Sequence, residues 1–535
     1  MDKMLSVMID CSKNGVLKPD AIKDFASIIK KMGYNSLMLY TEDTYEIESQ
    51  PYFGHLRGRY SKEELKDIDA FCREIGIELI PCIQTLAHLQ RIFNWQYSYR
   101  DVNDRDDILL VGEEKTYELI EEMIKTVSEC FTSKKIHIGM DEAYDVGSGE
   151  YLKRHGARER FDIINEHLHR VCDIVKKYSL EPMMNSDMFC KLAAGQGGRD
   201  VQYDKVDEEK IREKAALPEE VSLVFWDYIH TEPEEYVEMI KRNKIFDRKV
   251  YFCGGAWTWR GFAPDNTCSI QRTDAAISAC KDENIDNIII SMWGDGGAEC
   301  MPHAVLPAFM FAAEKVHGND DMEVIKSKFK EITGMNFDDF ILLDTLDTPG
   351  GKHAKSSSKY LLYNDPFMGI RDYRCSEADK DYYADLAKKI NAVEAKGEYA
   401  LLFKSYTKLA ELLSVKAALG IKTRSAYLGR DMEKLRAIIE EYAVAIEKVK
   451  EFHDAYEELW LSVRKPHGFE IQDARLGGVM MRLMACKARL EKLVNGEINE
   501  IPELDEPVLE QDTGIHHSWS SCISVNVNHV DVAFG

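Results

Sequence analysis

The segment HIGMDEAYDVG, His137 to Gly147, sets two acids side by side, Asp141 and Glu142, straight after a short apolar run. Two carboxylates in one site can divide proton donation from charge stabilisation. Buried without a task or partners they are costly. Side chains alternate along a strand, so neighbours cannot both point inward from a regular pleat. The backbone must therefore leave the pleat here. Gly139 loosens it, and YDVGSG continues as a loop. The competing reading is a helix cap or a surface turn, where Asp and Glu are common.

The aromatic setting favours chemistry. Trp226, Trp257, Trp259 and Trp293 all fall at predicted strand ends, in a chain with 7 Trp. Tyr40, Tyr45 and Tyr228 stand close in the same sense. Aromatic faces stack on the C–H faces of sugar rings, and carboxylates accept hydrogen bonds from ring hydroxyls. Acids among several such rings predict a carbohydrate pocket. Glycoside hydrolysis follows, because it needs a proton donor to the leaving oxygen and negative charge beside a forming oxocarbenium ion.

The elements that must position these groups are short β-branched or apolar runs separated by helical spacing. Strands are predicted at residues 4–10, 36–40, 78–82, 135–139, 181–185, 222–226, 249–254 and 287–292. Ile22, Phe25, Ile28 and Ile29 share one helical face that stops at Gly33. Ser61 and Glu64 form a capping box before another helix. Ile164, Leu168, Val171 and Val175 keep helical register in a third. This alternation over the first 316 residues predicts an α/β fold, a (β/α)8 TIM barrel, rather than an open sheet. The strand ends carry polar or aromatic residues throughout: Asp10, Glu42 and Asp43, Gln84 to His88, Asp187 and Asp295 among them. A barrel gathers all those ends at one mouth, and an open sheet does not. Residues 317–375 read as a connecting helix and loop. Residues 376–535 read as a mainly α-helical C-terminal domain with a short β tail in SVNVNHVDVAF.

Composition narrows the partners. The formal net charge of −24 repels phosphate backbones and anionic membranes, so neither nucleic acid nor a membrane is expected as a partner. The 13 cysteines form no C-x-x-C pair, which fits reduced thiols in the cytoplasm. No signal peptide and no apolar run of membrane-spanning length is read. No phosphate loop, G-x-S-x-G elbow or metal-ligand spacing is found, and His516 and His517 read as surface residues. KPHGFEIQDARLGG reads as a turn and helix cap, with a subunit interface as the alternative, and YNDPFMGIRD as a loop or a pocket lid. The long helices suit a homodimer.

At this point the chain resembles a known family. HIGMDEA is similar to the His-x-Gly-x-Asp-Glu signature of glycoside hydrolase family 20, the β-N-acetylhexosaminidases, and the resemblance covers most of Met4 to Glu299. LMLYTEDTYEIE, IPCIQTLAHL and SMWGD resemble further family segments. The resemblance implies a substrate-assisted reaction without cofactor or metal, in which the substrate's 2-acetamido oxygen attacks the anomeric carbon. Glu142 is then the acid and base, Asp141 the partner of the acetamido N–H, and Tyr228 the donor to the acetamido oxygen. His88, linked to Glu42 or Asp43, tunes Glu142 from behind. Trp257 and Trp293 wall the acetamido pocket, with Trp226 near them. Asp295 holds the 4- and 6-hydroxyls, and Asp10 and Lys13 stand at the first strand's end. Lys13 replaces the family's arginine, and Lys lacks the planar fork. NSD keeps Asp187 but loses the family's tryptophan beside it. The alternatives are a retaining β-glycosidase with Asp187, Asp227 or Asp295 as nucleophile, and a silent sugar-binding protein.

Overall fold

The structure, a computed structural model, describes residues 3–194, 206–348 and 357–508. Eight parallel strands close into a barrel: β1 (Met4–Asp10), β2 (Ser36–Tyr40), β3 (Glu78–Cys82), β4 (Lys135–His137), β5 (Glu181–Asn185), β6 (Ser222–Trp226), β7 (Val250–Gly255) and β8 (Asn287–Met292). Each pairs with its neighbour in sequence, and β8 closes on β1 with Met292 opposite Ile9. All eight predicted strands are present. Two bounds differ: β7 is shifted by one residue, and β4 stops at His137 rather than Gly139. The ladder cannot continue there because Gly139 and Met140 take φ of +70° and +71°, outside the β region.

The strands are buried on both faces, which is why they read as continuous apolar runs. Inside the barrel, Met4, Met38, Ile80 and Ile289 pack with Met8, Tyr40, Cys82 and Cys253. Outside, helices cover the sheet. Pro19–Met32 buries Ile22, Phe25 and Ile29 and ends at Gly33 in the left-handed conformation. Lys62–Glu74 starts from the Ser61–Glu64 capping box. Arg160–Lys177 buries Ile164, Leu168, Val171 and Val175.

The remainder is helical, with long members Tyr399–Lys416, Met432–Val463 and Phe469–Val494. Its core is continuous with that around the barrel, through Phe309, Phe340, Phe403 and Tyr456. It grips the loop that follows β8. Tyr456 Oη donates to the Glu299 carbonyl at 2.9 Å, and Gln472 Nε2 to the Gly297 carbonyl at 3.1 Å. Arg464 Nη2 donates to the Cys300 carbonyl at 2.8 Å. The Glu299 carboxylate, 3% exposed, sits between Arg475 Nη1 at 2.9 Å and Lys359 Nζ at 2.6 Å. KPHGFEIQDARLGG is thus an internal fastening, with Gly468 capping the last long helix at φ +93°. YNDPFMGIRD is a turn in which Asp365 caps the Phe367 and Met368 N–H groups and pairs with Arg482. The predicted terminal strand, with His516 and His517, lies outside the described residues. Among the described residues, twelve cysteines are free thiols, and no helix is long and apolar enough to cross a membrane.

Removing one partner of a buried ion cluster strands the other charge. Arg475→Met is therefore expected to lower stability by roughly 3 kcal/mol, read as a fall in the midpoint of chemical denaturation. An unchanged midpoint contradicts this account of the fastening.

Candidate active site

The chain leaves β4 through a backbone that few residues adopt. Gly139, Met140 and Glu142 all have positive φ, at +70°, +71° and +54°. Such strain persists only where the surroundings enforce it. Gln84 Oε1 accepts from Met140 N at 3.1 Å, Asp187 Oδ2 accepts from Glu142 N at 3.2 Å, and His137 Nδ1 accepts from Gly139 N at 3.0 Å. A Cβ on residue 139 would lie 2.0 Å from Gln84 Oε1, so glycine is required. The break turns both acids toward one cavity of about 210 Å³ at the C-terminal end of the barrel.

Asp141 is 9% exposed. Gln84 Nε2 donates to its Oδ1 at 2.8 Å, and His88 Nε2 stands 3.2 Å from its Oδ2. Burial alone would raise this carboxyl. The His88 charge and the hydrogen bonds outweigh burial and hold it well below the usual carboxylate range. Burial likewise works against the His88 imidazolium, but Asp141 raises it to about 9. Glu142 lies beside this pair, its Oε2 3.7 Å from His88 Nε2 and its Oε1 accepting from Tyr144 Oη at 2.9 Å.

The other walls mix aromatics with a second charged group. Tyr228 stacks on Trp226 at 5.5 Å, and its hydroxyl accepts from Trp293 Nε1 at 2.9 Å and Ser291 Oγ at 3.3 Å. Burial pushes the Tyr228 phenol well up, so it keeps its proton, which among the described residues has Cys253 Sγ, 3.8 Å away, as an acceptor. That hydrogen is available to a ligand acceptor. Lys13 and Asp295 also line the cavity. Lys13 Nζ pairs with Glu42 Oε1 at 2.9 Å. Burial opposes its charge, and Glu42, Asp295 and Asp10 more than restore it. Burial raises Asp295 to about 6 despite Lys13.

Several expectations need correction. Trp257 does not line the cavity. It is buried behind Trp259, stacked at 4.7 Å, with the Arg260 guanidinium 3.9 Å from its ring, and Trp259 forms the wall. His88 makes no hydrogen bond to Asp43, which is tied to Arg57 at 2.9 Å, or to Glu42, which accepts from Lys13 and from Tyr40 Oη; its link to Glu42 is by charge alone. It touches Asp141 itself and lines the cavity. Asp10 does not reach the cavity either. It accepts from Ser12 N at 2.8 Å and Gly294 N at 2.8 Å, fastening the end of β1 to the loop after β8. Asp187 is fully buried beneath Glu142, and Asp227 holds His230 at 2.5 Å and the Ile229 N–H at 2.9 Å. Gln84, Tyr144 and Lys191 were not assigned from sequence. Their only sequence signal is polarity within or beside apolar runs. Among the described residues, no cluster of three or more His, Cys, Asp or Glu could hold a metal ion.

Comparison with known proteins gives the lineage. Residues 29–286 match the glycosyl hydrolase family 20 catalytic domain, and residues 338–522 match the glycoside hydrolase 20C C-terminal domain. The chain belongs to glycoside hydrolase family 20. The chain is 25% identical to hexosaminidase D of Bos taurus over 220 residues, 39% of this chain and 58% of that protein. It is 25% identical to hexosaminidase D of Homo sapiens over 219 residues, 39% of this chain and 42% of that one. The matches thus span about half the length of these curated relatives. Among solved structures, a family 20 exo-β-N-acetylglucosaminidase from Vibrio harveyi aligns with a TM-score of 0.48 at 14% identity, over 64% of this chain and 58% of that one.

Two outcomes follow for this family 20 site. Gly139→Ala is expected to lose about 2 kcal/mol or more, from the left-handed φ and the clash with Gln84, measured by chemical denaturation. The raised His88 value means its charge stabilises the fold fully below pH 6.5, and that contribution is lost as pH rises through about 9. Wild type is therefore more stable than His88→Asn at pH 6 by roughly 3 kcal/mol. The gap closes above pH 9, and a gap independent of pH contradicts the pairing.

Proposed function

We propose that the protein is an exo-acting β-N-acetylhexosaminidase that releases terminal β-linked GlcNAc or GalNAc with retention, through an oxazolinium intermediate. The observation that carries this is an Asp141 held ionised by His88 and Gln84 beside the more open Glu142, at one cavity. An ionised carboxylate there is suited to a developing positive charge, and a more accessible one to proton transfer. The family membership and the two relatives named hexosaminidase D support the same reading.

In this reading Glu142 protonates the glycosidic oxygen while the substrate's acetamido oxygen attacks the anomeric carbon. The carbon–oxygen bond breaks, and the aglycone leaves with the proton. Asp141 holds the acetamido N–H and offsets the charge of the oxazolinium ring. Tyr228 donates to the acetamido oxygen, with Trp226, Trp259 and Trp293 around it. Glu142 then takes a proton from water, which adds at the anomeric carbon and restores the acetamide. Asp295 and Lys13 meet the ring hydroxyls. The reaction needs neither metal nor cofactor. The cavity is smaller than the ~300–1,000 Å³ of sites for larger ligands, which suits one terminal sugar of a small oligosaccharide or glycoconjugate. The free thiols among the described residues support a cytoplasmic location.

A retaining enzyme with a protein nucleophile needs a second acid about 5–5.5 Å from the proton donor. Neither Asp187 nor Asp227 lines the cavity, and Asp295 is engaged by the Lys13 charge. Hydrolysis of 4-nitrophenyl glycosides tests the reading. β-GlcNAc and β-GalNAc are cleaved, β-glucoside is not, and a thiazoline that mimics the intermediate inhibits. Glu142→Gln and Asp141→Asn each lower kcat/KM by about 10² or more. Cleavage of the plain hexoside, unaffected by thiazoline, overturns the mechanism. Binding without turnover makes the protein a sugar binder.

A further inference from the structure

Beneath Glu142 lies a buried network that the proposed reaction does not use. Lys191, on the helix Asp187–Ala193, is 3% exposed. Its Nζ donates to Tyr144 Oη, stands 3.4 Å from Asp187 Oδ2 and lies 3.9 Å from Glu142 Oε1. The ammonium sits over the Tyr144 ring at 4.4 Å and the Trp226 ring at 5.3 Å, closed in by aromatics.

The directions of these hydrogen bonds are fixed by chemistry. An ammonium has no acceptor, so Tyr144 Oη must accept from Lys191. Its single hydrogen is then left for Glu142 Oε1, 2.9 Å away. Burial pushes the Tyr144 phenol up, and the Glu142 and Asp187 charges push it further, so that hydrogen stays in place across the working pH range. Glu142 Oε1 therefore accepts one strong hydrogen bond from a phenol that a buried cation polarises. A proton on Glu142 belongs on the other oxygen, Oε2, on the His88 side.

Resting on the reading of Glu142 as the acid and base, we propose that Tyr144 and Lys191 are positioning residues that hold Oε1 as an acceptor, so that Oε2 alone gives and takes the catalytic proton. Tyr144 fixes the carboxyl's rotation, and Lys191 fixes Tyr144. Asp187 completes the network, accepting from Glu142 N and facing Lys191. The charged and titratable groups around Glu142 are thus His88 after β3, Asp141 and Tyr144 after β4, Asp187 and Lys191 after β5, and Asp295 after β8. Lys191 faces Glu142 Oε1 from below, and His88 faces Oε2 from the side.

The test compares two aryl β-N-acetylglucosaminides. The 2,4-dinitrophenyl glycoside leaves without a proton, and the phenyl glycoside needs one. Tyr144→Phe is expected to lower kcat/KM about 10–100-fold on the phenyl glycoside and less than about 3-fold on the dinitrophenyl one. Lys191→Gln keeps a donor and removes the charge. It is expected to move the alkaline limb of the kcat/KM profile to higher pH, because a positive charge 3.9 Å from Glu142 Oε1 is removed. Equal losses on both glycosides, or none on either, overturn the role of Tyr144. An unmoved alkaline limb overturns that of Lys191, and this arm decides alone if Tyr144→Phe does not fold. Glu142→Gln on the same pair separates the two levels. If it shows no preference for the dinitrophenyl glycoside, the assignment of Glu142 fails. If it shows that preference and Tyr144→Phe does not, this inference fails by itself.

Discussion

A buried carboxylate that stays ionised must be solvated by the protein itself. Asp141 meets this demand through Gln84 and His88, and much of the site depends on how Gln84 does so. Its Nε2 serves Asp141 and lies 2.9 Å from Tyr40 Oη, while its Oε1 accepts from Met140 N. One amide therefore joins His88 in holding the charge of Asp141 and also fixes the left-handed backbone just before it. That backbone is what lets two consecutive residues face the same cavity. The strain at residues 139–142 and the pair of acids are two aspects of a single arrangement.

Charge is balanced locally around the mouth. Asp141 faces His88, Glu42 faces Lys13, Asp43 faces Arg57, and Asp187 faces Lys191. Buried pairs of this kind add little net stability, but each holds its members in place because breaking it strands a charge. The result is a set of dipoles and charges oriented before any ligand arrives, which is what stabilisation of a developing cation requires. The helical region extends this to the loop after β8. It grips residues 296–300, next to the cavity-lining Asp295. The helical region is thus part of the site's support.

The barrel was legible because strands buried on both faces stand out as apolar runs, and because polar residues cluster at their C-terminal ends. The need for a break at the Asp141–Glu142 pair was legible from strand alternation. The end of β4 was not, since Met140 has no composition that signals a positive φ. Trp257 and Trp259 were not separable either. β7 ends at Gly255, and beyond a strand the two-residue alternation no longer tells which side chain faces inward. Glu42 and Asp43 were legible as acids near the mouth, but their partners Lys13 and Arg57 lie on other loops. Gln84, Tyr144 and Lys191 gain their roles from contacts across two or more strands' ends, which no local pattern encodes.

The central claim is that the substrate's own acetamido oxygen is the nucleophile, with Asp141 placed to assist it. The most direct measurement is kcat/KM for a series of aryl β-glucosaminides whose N-acetyl group carries zero, one, two or three fluorines. Each fluorine withdraws electrons from the acyl oxygen and leaves the glycosidic bond distant from the change. The account predicts a steep fall in rate along the series, with the trifluoroacetyl substrate slower by several orders of magnitude. A rate that stays nearly constant across the series contradicts it and assigns the nucleophile to a carboxylate of the protein.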